Sequence, residues 1–181
     1  MKNYIFLTLV SLIPFVVNAQ SNESKGKLGF TINSSVNGEL YPIRIVPSLT
    51  YINGKNQLEL GFGFNLSDRK FQKLVSSELN YKYFPNGTDK KFNLYLIARF
   101  SYIHSARDTY YPTNYNYLFL NGGYGIEIKA FKGAYIGTNI STGIFTYSKK
   151  SDIPYEAFSS QKLFDTFGYN LAFQFNVGYR F

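Results

Sequence analysis

The sequence predicts an all-β protein: an eight-stranded, antiparallel, up-and-down transmembrane β-barrel. Three observations carry this expectation. Large apolar residues alternate with small or polar ones through successive segments of the chain, the period of a β-strand. The large face is almost wholly aliphatic or aromatic and holds more bulk than the narrow interior of an eight-strand barrel can take, so it is expected to face outward. The links between segments are short turns at one end and mostly longer at the other, as in barrels that cross a membrane.

The chain opens with a segment of a different kind. Lys2 is followed by the apolar run Tyr4–Val17 and by Val17-Asn18-Ala19, the layout of a secretory signal peptide. The run is about 14 residues, short of the ~20 that a spanning helix needs. We therefore expect residues 1–19 to be a signal peptide cleaved after Ala19, residues 20–26 a short N-terminal segment, and residues 27–181 the barrel domain.

The strands follow in order. Lys27–Val36 and Leu40–Ile52 alternate most weakly, and the second carries Pro42 and Pro47. Proline cannot donate to a ladder, so Pro47 predicts a bulge or local break. In the third, Leu58, Leu60, Phe62, Phe64 and Leu66 alternate with Gln57, Glu59, Gly61, Gly63 and Asn65. In the fourth, Val75, Ser77, Leu79, Tyr81 and Tyr83 alternate with Ser76, Glu78, Asn80 and Lys82. The fifth sets Phe92, Leu94, Leu96, Ala98, Phe100 and Tyr102 against Asn93, Tyr95, Ile97, Arg99 and Ser101. The sixth runs over 118–129, with Phe119, Asn121, Gly123, Gly125, Glu127 and Lys129 on the inward parity. The seventh runs over 135–144. The eighth, Phe167–Phe181, alternates without exception over about 15 residues, well beyond an ordinary globular strand.

The even-numbered strands end in short turns: Asn53-Gly54-Lys55-Asn56, Pro85–Asp89 and Lys132-Gly133. Each supplies Gly or Asn where a tight turn needs them. The other links are Asn37–Glu39, Ser67–Lys73, 105–116 and 148–165. A membrane barrel would turn the short links to the periplasm and the longer ones outside the cell.

Composition narrows the function. The 181 residues include no Cys, no Trp and one His, but 17 Tyr and 18 Phe. Without Cys there is no disulfide framework, thiolate metal site, thiol nucleophile or lipid-anchoring Cys. No phosphate-binding loop, dinucleotide fingerprint or metal-ligand cluster occurs, so no cofactor is expected. The net charge of +8 is dispersed among strands and loops, which does not suit nucleic acid. Lys73, Lys149-Lys150 and Arg69-Lys70 fall in the long links, where they could meet lipopolysaccharide phosphates.

A soluble sandwich would also alternate, but the length and bulk of these strands favour a membrane wall. Tyr51, Tyr81, Tyr83, Phe92, Tyr179 and Phe181 lie near the short-turn rim. Tyr41, Phe64, Tyr102, Phe167 and Tyr169 lie near the long-loop rim. All share the outward parity and read as two interfacial girdles.

From Lys27 to Phe181 the chain resembles the transmembrane domain of the outer membrane protein A superfamily. Its ending, Gly178-Tyr179-Arg180-Phe181, resembles the C-terminal signal read by the barrel-assembly machinery, although Asn176 stands where that family prefers Gly. The resemblance implies export to the bacterial outer membrane and assembly there as a monomer. The Ala-Gln signal ending and the Asn-, Lys-, Tyr- and Phe-rich usage resemble proteins of Bacteroidota.

The inward parity collects Arg44, Glu59, Glu78, Lys82, Arg99, Glu127, Lys129 and Arg180. Buried charges must pair, and hairpin geometry predicts Glu59 with Lys82 and Glu78 with Arg99. We expect this ion-pair network to close the lumen. His104 and Ser105 are the candidates for a catalytic pair. Small outer-membrane enzymes that cleave lipid A acyl chains place His and Ser two residues apart on one face; here they are adjacent and point oppositely. Their nearest acids, Asp108 and Asp152, fall in loops. The expectation is a non-enzymatic barrel with a structural role, or surface recognition through the Tyr- and Asn-rich loop 105–116 and loop 148–165. The alternatives are a narrow porin-like channel and a lipid A-modifying enzyme.

Overall fold

The structure is a computed structural model describing residues 26–38, 40–65, 72–107, 112–151 and 159–181. The expected signal peptide, its cleavage point and Arg69-Lys70 lie outside the described residues. Eight strands run in sequence: β1 (Lys27–Asn37), β2 (Leu40–Asn53), β3 (Asn56–Asn65), β4 (Gln72–Tyr83), β5 (Phe92–Arg107), β6 (Thr113–Phe131), β7 (Ala134–Ser151) and β8 (Phe167–Arg180). Each pairs antiparallel with its neighbours in sequence, and β1 pairs with β8 to close the barrel. The closing ladder runs from Gly29 opposite Arg180 to Asn37 opposite Ala172. Phe181 adds a bond from its N–H to the Leu28 carbonyl at 2.9 Å.

The alternation becomes two faces of one wall. On β3, Leu58, Leu60, Phe62 and Phe64 are exposed, while Gln57, Glu59, Gly61 and Gly63 are buried. On β8, Tyr169, Leu171, Phe173, Phe175, Val177 and Tyr179 are exposed, while Asn170, Gln174 and Asn176 are buried. This inverts the order of a water-soluble barrel, whose apolar face points in. Leu49 is 70% exposed whereas Arg44 on the same strand is 0% exposed. Among the girdle residues, Phe92, Tyr179 and Phe181 stand exposed at the short-turn end, and Phe64, Tyr102, Phe167 and Tyr169 at the other. The Tyr41 side chain lies outside the description. Tyr81 and Tyr102 hydroxyls donate to Asn56 Oδ1 at 2.5 Å and Asn116 Oδ1 at 2.8 Å, so each ring has a polar anchor on its rim side.

The three short turns each contain a glycine in the left-handed region: Gly54, Gly87 and Gly133, with φ of 59°, 73° and 82°. Asn53 pairs with Asn56, so Gly54-Lys55 forms a two-residue hairpin loop. Pro47 produces a gap rather than a bulge. Ile45 pairs with Phe64 and Ser48 with Gly61 in one register, and the ladder skips Val46 and Pro47. The missing proline N–H interrupts bonding without adding a residue.

Three of the longer links are shorter than the sequence expectation: Gln72 and Lys73, expected in the link 67–73, belong to β4, opposite Arg107 and Ala106. Residues 105–107 and 113–116, expected within loop 105–116, belong to β5 and β6, with Ser105 opposite Tyr115 and Arg107 opposite Thr113. Likewise 148–151 extends β7, and Lys149 bridges to Gln161. The Tyr-, Asn-, Ser- and Thr-rich composition looks like loop because both sides of these strand ends are polar. Tyr and Thr nevertheless favour strand, and the ladder continues past the apolar band.

Gly178 faces inward beneath Tyr135, and a Cβ there would fall inside the Tyr135 ring. Tyr135 in turn bonds Thr31 across the barrel. Gly178→Val is therefore expected to lower the stability of the folded barrel by about 1–3 kcal/mol through overpacking. The denaturant midpoint of the folded form checks this.

Candidate functional site: the barrel interior

Each inward side chain is positioned by strand parity, and its height is set by register. At the short-turn end, Arg180 makes a two-pronged pair with Glu127, Nη1 to Oε1 and Nη2 to Oε2, both at 2.6 Å. The Arg180 Nη2 also donates to Gln57 Oε1 at 2.7 Å. Its guanidinium lies 4.1 Å from the Tyr135 ring centroid, a cation–π contact. Gln57 passes the chain of bonds on, donating from Nε2 to Glu59 Oε1 at 2.6 Å. Glu59 accepts from Lys82 Nζ at 2.5 Å and from Asn80 Nδ2 at 3.2 Å. Phe84, Tyr95 and Ile97 form a small apolar cluster beside this pair, and Lys82 Nζ lies 5.1 Å from the Tyr95 centroid.

A second group sits around Arg44. Its Nη1 lies 3.0 Å from Glu78 Oε1. Its Nη2 donates to Asn37 Oδ1 at 2.5 Å and to Ser35 Oγ at 3.1 Å. Gln174 donates to the other Glu78 oxygen at 3.0 Å and accepts from Asn139 Nδ2 at 3.2 Å. Asn139 Oδ1 receives Arg99 Nη2 at 2.7 Å. Asn139 and Asn176 both donate to the Tyr95 hydroxyl, at 3.2 and 3.3 Å. Burial makes such bonds obligatory, because an unpaired polar group in a low-dielectric interior costs free energy.

Two expectations about these residues are corrected. Glu78 makes its direct ion pair with Arg44 on β2, while Arg99 lies near the same carboxylate without bonding it. Arg99 stands on the neighbouring strand, opposite Asn80, while Arg44 reaches across the interior to the same carboxylate. Lys129 does not join the interior: it is exposed. It lies one inward step beyond Glu127, where β6 meets its turn and the register shifts between Lys129 and Phe131. An ammonium in that position stays hydrated.

The long-loop end of the interior is apolar. Leu74, Ile103, Tyr117, Phe119 and Phe145 form one buried cluster, flanked by Tyr115 and Tyr147. Phe119 and Phe145 centroids are 5.4 Å apart, and Tyr117 and Tyr147 are 5.6 Å apart. The expected inward face of Gly, Asn, Ser, Thr and charges therefore holds for the short-turn end and the middle of the barrel, and gives way at the long-loop end. The signal was present: Tyr115, Tyr117 and Phe119 share the parity of Asn121 and Glu127 along β6.

His104 sits outside this interior. Its Nδ1 is 2.8 Å from Asn116 Oδ1, and Asn116 Nδ2 donates to Ser148 Oγ at 3.2 Å. Ser105 points inward and is buried, so the two side chains lie on opposite faces of the wall. Asp108 and Asp152 lie outside the described residues.

The geometry matches known structures. The N-terminal β-barrel domain of Pseudomonas aeruginosa OprF aligns with a TM-score of 0.61 at 10% identity, covering 87% of this chain and 100% of that one. This chain has the fold of the small outer-membrane β-barrels. Neisserial surface protein A aligns at 0.54 with 12% identity, over 86% of this chain and 96% of its own. A major outer membrane protein of Thermus thermophilus aligns at 0.54 with 13% identity, over 87% and 100%. No protein-family model and no curated protein matches the sequence.

The Lys82–Glu59 pair allows a direct test. Lys82→Met leaves Glu59 buried without its cation and is expected to cost about 3–5 kcal/mol, whereas Lys82→Met with Glu59→Gln recovers most of that loss. Denaturant titration of the two variants and the parent measures both effects.

Proposed function

We propose that this protein is an integral barrel of the bacterial outer membrane, exported with cleavage after Ala19 and without enzymatic activity. The observation that carries the membrane reading is the inverted wall. A continuous outward band of Leu, Ile, Val, Phe and Tyr surrounds a buried polar interior. In water that band would be an aggregation surface far larger than a soluble monomer exposes; against acyl chains it is the favourable face. The aromatic rims and the fold shared with outer-membrane proteins support the same location. Gly178, Tyr179 and Phe181 are read as the assembly signal, with Tyr179 and Phe181 presented on the outer surface. The barrel is read as a monomer.

The lumen is read as non-conducting. Ion pairs fill the middle, and the cluster around Phe119 and Phe145 occupies the long-loop end. A catalytic role for His104 has little support, since its ring is held by Asn116 and Ser105 is on the other face. The role is structural, or recognition through the ends of loops 105–116 and 148–165. Phosphates of lipopolysaccharide are the proposed contact for Lys73, Lys149 and Lys150.

Reconstitution tests the location and the lumen together. The protein should fractionate with outer membranes, shift mobility on unheated SDS gels, and give no stepwise conductance in planar bilayers. Recovery in the soluble fraction without a folded band would overturn the membrane reading; large open-state steps would overturn the sealed lumen. For the surface charges, replacing Lys73, Lys149 and Lys150 with Gln should weaken stabilisation by lipopolysaccharide-containing vesicles and leave stability in phosphatidylcholine unchanged. Equal loss in both lipids would place these lysines in the barrel's own stability.

A further inference from the structure

Among the described residues the interior carries four buried or half-buried cations, Arg44, Lys82, Arg99 and Arg180, and three buried carboxylates, Glu59, Glu78 and Glu127. The three carboxylates are taken by Arg44, Lys82 and Arg180. Among the described residues Arg99 has no direct ion pair, although it is 1% exposed and Glu78 lies near it. One of its nitrogens donates to Asn139, a neutral amide. Its Nε and Nη1 have no hydrogen-bond partner. A buried guanidinium in this state is costly, because neutral dipoles solvate it only in part.

Two further donors near Arg99 lack an acceptor among the described residues, while Asn80 Oδ1 and Glu78 Oε1 are acceptors without a hydrogen bond. Asn121 lies directly opposite on β6. Its Oδ1 accepts from Asn170 Nδ2 at 3.2 Å, which leaves Nδ2 buried and unpartnered. Ser101 lies two residues on, on the same inward face, and its buried Oγ is unpartnered too. On the other side, Asn80 gives its amide to Glu59 and offers Arg99 only a neutral oxygen. The nearest acid, Glu78, already accepts from Gln174 and pairs with Arg44.

We propose that the interior holds one halide-sized monovalent anion against Arg99, with the Asn121 amide and the Ser101 hydroxyl completing its shell. A single negative charge balances the excess of one cation. The free groups named are N–H and O–H donors, which suit a spherical acceptor. A larger oxyanion does not suit an eight-strand interior already filled by side chains. Such a site lies in the barrel interior and requires neither the membrane location nor a sealed lumen.

The test uses bromide as the probe. Crystals of the refolded, full barrel grown in bromide should show an anomalous peak within hydrogen-bond distance of Arg99. Thermal unfolding in detergent should shift up by several degrees in chloride relative to gluconate at equal ionic strength, since a ligand bound only by the folded state stabilises it. Asn121→Asp would place a carboxylate opposite Arg99 while retaining the bond from Asn170; it should abolish both the peak and the chloride dependence. Arg99→Gln should abolish them as well. If Arg99→Gln does not fold, the parent and Asn121→Asp carry the comparison. No bromide at Arg99 in the parent, or an unchanged chloride dependence in Asn121→Asp, overturns the proposal.

Discussion

The pairing of β1 with β8 closes the wall, and the rest of the molecule answers to that closure. With both edges joined, every strand finds ladder partners on two sides, so the backbone satisfies itself without water. The wall then has two surfaces with opposite demands. The outer one carries no backbone obligation and can be wholly apolar. The inner one bounds a space that eight strands leave just wide enough for side chains, and whatever polar atoms enter it must be matched there.

That matching is arranged in layers along the barrel. Arg180, Glu127, Gln57, Glu59 and Lys82 make a continuous chain at the short-turn end, linked through Gln57, which donates to one carboxylate and accepts from Arg180. Gln174 has the same bridging role around Glu78 and Asn139. The apolar cluster of Leu74, Ile103, Tyr117, Phe119 and Phe145 lies toward the long loops, beyond the charged groups. A drier surrounding strengthens each ion pair and raises the cost of any charge left over. Arg99 is where these two effects meet.

Much of the fold was legible in the sequence because a strand's side chains alternate with a period of two, a rule indifferent to what the strand pairs with. The parity of Leu58 and Glu59, or of Phe173 and Gln174, needed no knowledge of neighbours. The bounds of β5, β6 and β7 were less legible. Where a strand leaves the apolar band its outer residues become polar, and the contrast that marks alternation disappears, as at Asn114 and Asn116. The apolar cluster at Phe119 is hidden in the sequence for the converse reason. There both parities are large and apolar, with Leu118 and Leu120 outside, so composition does not distinguish wall from interior.

By itself the sequence determined the strand count, the inward and outward faces, the positions of the tight turns and, apart from Lys129, the list of buried charges. These follow from local geometry and from the free energy of placing each residue type in water, lipid or a packed interior. Only the tertiary structure decided which charges meet. Arg44 and Glu78 stand on strands that are not neighbours and join through the middle of the barrel, a distance set by strand tilt, register and side-chain length together. The same geometry put Lys129 in water and left Arg99 without a direct ion pair.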